Sequence, residues 1–160
     1  MPATGDAALS SRVLDYLAGH RVLTLATHGP QGVWAAALFY ANEGFRLYFL
    51  SSPSSRHCMD LAADPRVAGT VQDECSDWRE IRGLQFEGLA REISGEQVRC
   101  ARRLYAAKHP LIDRLAGAPP AIVEAMARVR WYAIEVARIR LIDNSAGFGH
   151  REELLLAPAR

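Results

Sequence analysis

Leu9, Val13 and Leu17 recur at helical spacing between Asp6 and Gly19, which predicts an amphipathic N-terminal helix ended by a glycine. Arg21 to Thr27 changes period: Val22, Thr24 and Ala26 alternate with Leu23 and Leu25, as in a half-buried strand. The turn cluster His28-Gly29-Pro30-Gln31-Gly32 leads into an apolar run from Val33 to Tyr40, so the two runs read as a hairpin. Asn42-Glu43-Gly44 turns the chain into Phe45 to Leu50, giving an expected three-strand meander. A hydroxyl-rich turn, Ser51 to Ser55, then opens a short helix at Arg56 that Asp64-Pro65 ends. Strand character resumes over Arg66 to Gln72 and again over Ile81 to Ile93, where Gly88 predicts a bend.

Helical spacing returns in Glu96 to Lys108, with Val98, Ala101 and Tyr105 on one face and Arg99, Arg102 and Arg103 opposite. Pro119-Pro120 opens another short helix to Arg128. The last strand, Arg130 to Ile142, holds Tyr132, Ile134 and Val136 in one phase and Ile139 and Leu141 in the other, so a bulge is expected near Ala137-Arg138. About six strands with short helices between them predict a mainly β (α+β) chain, an antiparallel barrel with helical caps.

At 160 residues and 49% hydrophobic content the chain reads as a single domain, 1–160, with an ordinary core. A nucleic-acid-binding barrel using Arg99, Arg102, Arg103 and Lys108 is a further alternative, against which a formal charge of +1 and the lack of an aromatic and basic stripe on one strand face both argue. The longest apolar run, Val33 to Ala41, is too short to span a bilayer, and no signal-peptide pattern opens the chain, so a cytoplasmic location is expected and a membrane partner is not. Cys58, Cys75 and Cys100 lack the spacing of a disulfide framework or zinc site. The five histidines lack metal-ligand spacing, and no metal is expected.

Two segments carry candidate chemistry. Four serine hydroxyls, Arg56, His57 and the free donors of a helix start would converge as an anion site; the alternative is a serine cap with the basic pair in water. Ala35-Ala36-Ala37 in mid-strand leaves room for something flat against the backbone, either an aromatic cofactor or a closely packed neighbour.

Taken together, these features resemble the split barrels of the pyridoxamine 5′-phosphate oxidase type, which bind flavin mononucleotide (FMN). The likeness runs from about Val13 to Arg151. It rests on Ser51 at a strand end, the Ser55-Arg56-His57 step, Asp64-Pro65-Arg66-Val67 and the strand Arg82-Gly83-Leu84-Gln85-Phe86-Glu87-Gly88. The resemblance implies a six-stranded split barrel and a homodimer with cofactor contacts from both chains. Ala36 and Ala37 then lie along the ring, Leu50 and Ser51 flank the ring or ribityl chain, and Ser55, Arg56 and His57 hold the phosphate. His57 stands where many members have lysine. The family's ring-side glutamine is displaced: its place holds Gly83 beside Arg82, with Gln85 two residues on, so either Gln85 serves in a shifted register or a backbone donor replaces it.

The Arg-x-His substrate motif of true pyridoxamine phosphate oxidases is replaced by Arg140-Leu141-Ile142, which argues against vitamin B6 oxidation and leaves Arg140 for an anionic substrate. The ending Ile142-Asp143-Asn144-Ser145-Ala146-Gly147-Phe148-Gly149-His150-Arg151 is similar to that of a small bacterial branch of the superfamily. The expected activity is therefore an FMN-dependent redox reaction on a small molecule, with NAD(P)H as the donor to screen first and catalytic residues not specified. The alternative is a flavin carrier or a haem-binding split barrel, with His150 on a mobile tail as iron ligand. Tyr40 and Tyr48 are further candidates to reach a substrate, with barrel packing the favoured alternative, and Trp131 and Tyr132 either form the dimer interface or pack in the core.

Overall fold

The computed structural model describes residues 4–156. The helix of the N-terminal pattern is α1 (Thr4–Gly19), followed by β1 (Val22–Gly29), β2 (Gly32–Phe39), β3 (Ala41–Glu43) and β4 (Arg46–Ser51). Then come α2 (Arg56–Ala63), β5 (Arg66–Gln72), β6 (Arg82–Glu92), α3 (Glu96–Lys108), α4 (Pro120–Ala127), β7 (Arg130–Asp143) and β8 (Arg151–Leu155). All the strands belong to one antiparallel sheet in the order β2-β1-β5-β6-β7-β4-β3, with β8 paired to β7. The sheet curls so that β2 approaches β4 without pairing with it, which leaves the barrel split between them. No helix among the described residues is long and apolar enough to cross a membrane.

Two strands exceed the six expected, and the meander does not form. The break lies at Tyr40, whose side chain is fully buried and whose hydroxyl donates to Leu17 O at 2.7 Å. Its backbone N–H donates to Arg21 O, while its own carbonyl lies 2.7 Å from His109 Nε2. With Tyr40 held at this crossing, β3 and β4 continue on the far edge of the sheet, where β4 pairs with β7. The second added strand, β8, corrects the reading of a mobile tail: Arg140 pairs with Glu153 and Ile142 with Arg151 in a β7–β8 hairpin.

Leu9, Val13 and Leu17 of α1 enter the barrel core with Leu23, Leu25, Phe49, Phe86, Ile134 and Ile139. A second core forms beneath α3, where Ala101 and Tyr105 meet Ala41, Tyr48, Ile93, Trp131 and Ala133. Tyr40, Tyr48, Trp131 and Tyr132 are therefore interior residues, so of the two readings open for each it is packing that the structure shows. Trp131 meets Tyr105 edge-on at 5.4 Å and Tyr132 stacks on Phe49 at 5.1 Å.

The expected irregularity in the last strand has a mate. Glu87 pairs with Arg138 and Gly88 with Val136, so Ala137 is the extra residue of a bulge. A Cβ on Gly88 would lie 2.1 Å from Glu135 O, so only glycine permits this approach.

Candidate functional site

The end of β4 delivers Ser51 to the first turn of α2. Ser55 is the residue before the helix, but its hydroxyl donates backwards to Ser52 O at 2.7 Å and forms no cap to the helix. The first helical bond is Met59 N–H to Ser55 O, so the donors of the first turn have no side-chain acceptor. His57 is buried on the inner side of this turn, with Nε2 at 2.8 Å from Ser51 Oγ and 3.2 Å from Ser55 Oγ. Burial pushes its pKa below the ordinary histidine value, with the Asp60 carboxylate acting against the shift. The imidazole is neutral at pH 7, and which hydrogen bonds it donates depends on its tautomer.

Arg56 takes a different direction from its neighbours. Its Nη2 donates to Gln31 O at 3.0 Å and Val33 O at 3.4 Å, and its guanidinium carbon lies 4.5 Å from the centre of the Trp34 ring. Its Nε is buried and meets no acceptor. A donor withdrawn from water and left unpaired costs on the order of 1 to 3 kcal/mol, which an acceptor placed there would recover. Behind it, Asp60 is buried and accepts from Thr27 Oγ1 at 2.9 Å, fixing α2 against β1.

The sequence candidates fall into separate places. Ser51, Ser55 and His57 come together at the start of α2, while the side chain of Arg56 leaves the same turn for β2. Ala36 pairs with the core residue Leu25 and so shares the inner face of β2 with Trp34. Ala37 takes the other face, in a cross-strand row Ala37–Thr24–Thr70–Gln85–Arg140–Glu153. A hollow of about 150 Å³ lies along this row between Ala68, Gln85, Phe86, Glu87, Arg138 and Arg140. Arg140 is held by Glu153 at 2.9 Å, and Arg82 lies at the sheet end beside Asp143 at 3.4 Å. Leu50 turns away from Ser51 and packs on the second core.

The sequence reading missed Trp34 and Asp60. The one available signal for Trp34 was an aromatic residue directly before the three alanines, and for Asp60 a carboxylate one helical turn after His57.

A curled antiparallel sheet split between β2 and β4, with a serine-lined helix start at the gap, defines a split-barrel protein of the pyridoxamine 5′-phosphate oxidase type. The chain belongs to that family: the model described as Pyridoxamine 5'-phosphate oxidase matches residues 9–143. Among curated relatives, the UPF0306 protein YhbP of Salmonella paratyphi A is 31% identical over 138 residues, covering 85% of this chain and 86% of that one. The fold is similar to that of a heme binding protein from Mycobacterium smegmatis, with a TM-score of 0.71 and 20% identity. That alignment covers 97% of this chain, which spans only 59% of the other. HutZ, the heme storage protein of Vibrio cholerae, is similar with a TM-score of 0.63 and 13% identity over 91% of this chain and 92% of that one.

Proposed function

We propose that this chain binds a planar conjugated cofactor with an anionic tail, that FMN is the cofactor, and that the protein is an oxidoreductase acting on a small molecule. One observation carries the reading: the uncapped start of α2 gathers Ser51, Ser55 and His57, and Arg56 of the same turn has a buried Nε with no acceptor. These groups fit a phosphate, since hydroxyls, first-turn N–H groups and a guanidinium all donate to oxygen. The seven residues of β2 from the Arg56 contact at Val33 to Phe39 span roughly 20 Å at strand rise, with Ala35, Ala36 and Ala37 in the middle. FMN, when bound, supplies the hydride and electron chemistry. This chain's residues hold the phosphate, keep bulky side chains off the ring through Ala36, and place Arg140 for an anionic substrate. NAD(P)H is the donor this reading favours.

A second reading has support of its own. Structural neighbours named as haem-binding and haem-storage proteins favour a haem-binding split barrel over a flavin oxidoreductase. Haem shares the planar body and anionic tail. His150 would then hold the iron: Nε2 lies 3.3 Å from Glu152 Oε2, and its backbone is fixed by bonds to Gly147 O and Asp143 N–H.

The homodimer is part of the same proposal. Ala37, Gln85 and Arg140 lie on the outer sheet face, away from the start of α2, so they join a cofactor site only if a second copy faces them. The edge strand β2 supports such a contact, since Val33 is 79% and Phe39 54% exposed and β2 contains no charged side chain. The absorption spectrum of freshly purified protein tests the cofactor: flavin bands support the main reading and a Soret band the second. Light scattering at micromolar concentration tests the dimer, and a monomer that retains flavin would overturn that part.

A further inference from the structure

We infer that Trp34 is a positioning residue of the anion site: its ring fixes the Arg56 guanidinium so that the unpaired Nε–H stays available to an anionic oxygen. The inference rests on the proposed phosphate site and deepens it by naming what aims the cation.

Three contacts determine where Arg56 points. Nη2 is bonded to Gln31 O in the β1–β2 turn and Val33 O in the edge strand, and the flat guanidinium lies 4.5 Å from the indole centre. The two carbonyls fix one nitrogen, about which the group is still able to turn; the ring removes that freedom by holding the plane. A tryptophan face is the strongest of the aromatic partners for a cation, and guanidinium is well suited to stack on it. Trp34 reaches this position because it shares the inner face of β2 with Ala36, and Ala36 is too small to displace it toward the barrel.

The ring does not earn this place by core packing. Trp34 is 43% exposed and belongs to neither hydrophobic core. Its use is specific to the cation, and so is the expected effect of removing it: the phosphate contribution to binding falls, while binding of the rest of the cofactor is unchanged.

The test compares FMN with riboflavin, which lacks the phosphate, by flavin-fluorescence titration of wild type, Trp34→Ala and Trp34→Phe. Wild type is expected to prefer FMN. Trp34→Ala is expected to lose about tenfold of that preference, equivalent to ~1.4 kcal/mol, with riboflavin affinity unchanged and melting temperature held. Trp34→Phe recovers part of the loss because a phenyl face still attracts the cation. In an Arg56→Ala background, Trp34→Ala adds nothing. Equal weakening of FMN and riboflavin by Trp34→Ala would show that the indole contacts the ring system instead and would overturn the inference alone. A wild type without preference for FMN would overturn the phosphate site, and this inference with it.

Discussion

Ser51 at the end of β4 and His57 in the first turn of α2 are joined by a 2.8 Å hydrogen bond between Oγ and Nε2. The bond ties the strand that borders the split to the helix that closes it. It also holds in place an imidazole that burial keeps neutral, where the family resemblance implies lysine in many members, so the proposed anion site is expected to depend on pH.

His57 has a folded pKa below its unfolded value because of burial, with Asp60 opposing and Arg56 adjacent in sequence. As pH falls through the unfolded value near 6.5, the unfolded chain takes up the proton first, so this group costs stability in acid. A bound phosphate reverses the preference by favouring the imidazolium. The FMN dissociation constant of wild type should therefore fall relative to that of His57→Gln between pH 8 and pH 6, a comparison that cancels the phosphate's own titration. Parallel pH profiles would remove His57 from the site.

Arg56→Ala should weaken FMN binding by roughly 1.5 to 3 kcal/mol, the range for hydrogen bonds to charged groups, and leave riboflavin binding unaltered. Fluorescence titration of both ligands measures this. Equal dissociation constants for FMN in the two proteins would exclude Arg56.

Pyridoxamine phosphate should not bleach flavin bound to this protein. Ile142, opposite Gly83 on β6, stands where the imidazole of the Arg-x-His motif would be and neither donates nor accepts a hydrogen bond. A polar substrate group left unpaired there costs on the order of 1 to 3 kcal/mol. Anaerobic mixing followed at the flavin band decides it, and rapid bleaching would restore vitamin B6 oxidation as the activity.

Lys108 supplies a test of the fold. Its ammonium donates to Leu17 O at 2.7 Å over the Tyr40 ring, and burial, with Arg21 nearby, lowers its pKa to about 8. Between that value and the unfolded one near 10.4 the unfolded chain holds the extra proton, so Lys108's contribution to stability rises with pH. Urea unfolding should show wild type gaining on Lys108→Met from pH 8 to pH 10. A constant difference would mean that the amine is not desolvated.

Gly88→Ala should destabilise the protein by about 3 kcal/mol, because its Cβ would strike the Glu135 carbonyl and force the bulge to move. For a domain of this size that corresponds to a fall in melting temperature of roughly 6 to 12 °C. An unchanged thermal transition would show that the bulge relaxes freely.

Local periodicity made most of the strands and helices legible, because each buries one face: Leu23 and Leu25 in β1, or the phase change across Ala137 in β7, is written in the order of residues. The crossing at Tyr40 was not legible. It depends on partners far along the chain, Leu17, Arg21 and His109, and a buried tyrosine reads locally as one more strand residue. The β7–β8 hairpin was hidden by glycines that suggested a loose tail, whereas Asn144 and Asp143 pin that turn through bonds to Gly149, Trp78 and Ser145. At the candidate site the serines, Arg56 and His57 were visible as a motif, but the aim of Arg56 toward β2 was not. That direction arises from Trp34 and two backbone carbonyls, which no local pattern reveals.

The most direct test is competitive loading: protein mixed with equal amounts of FMN and haem, separated from free ligand by gel filtration, and examined by visible absorption. The serine-lined start of α2 predicts that flavin stays with the protein. Protein that emerges with haem alone, or with neither, would contradict the account.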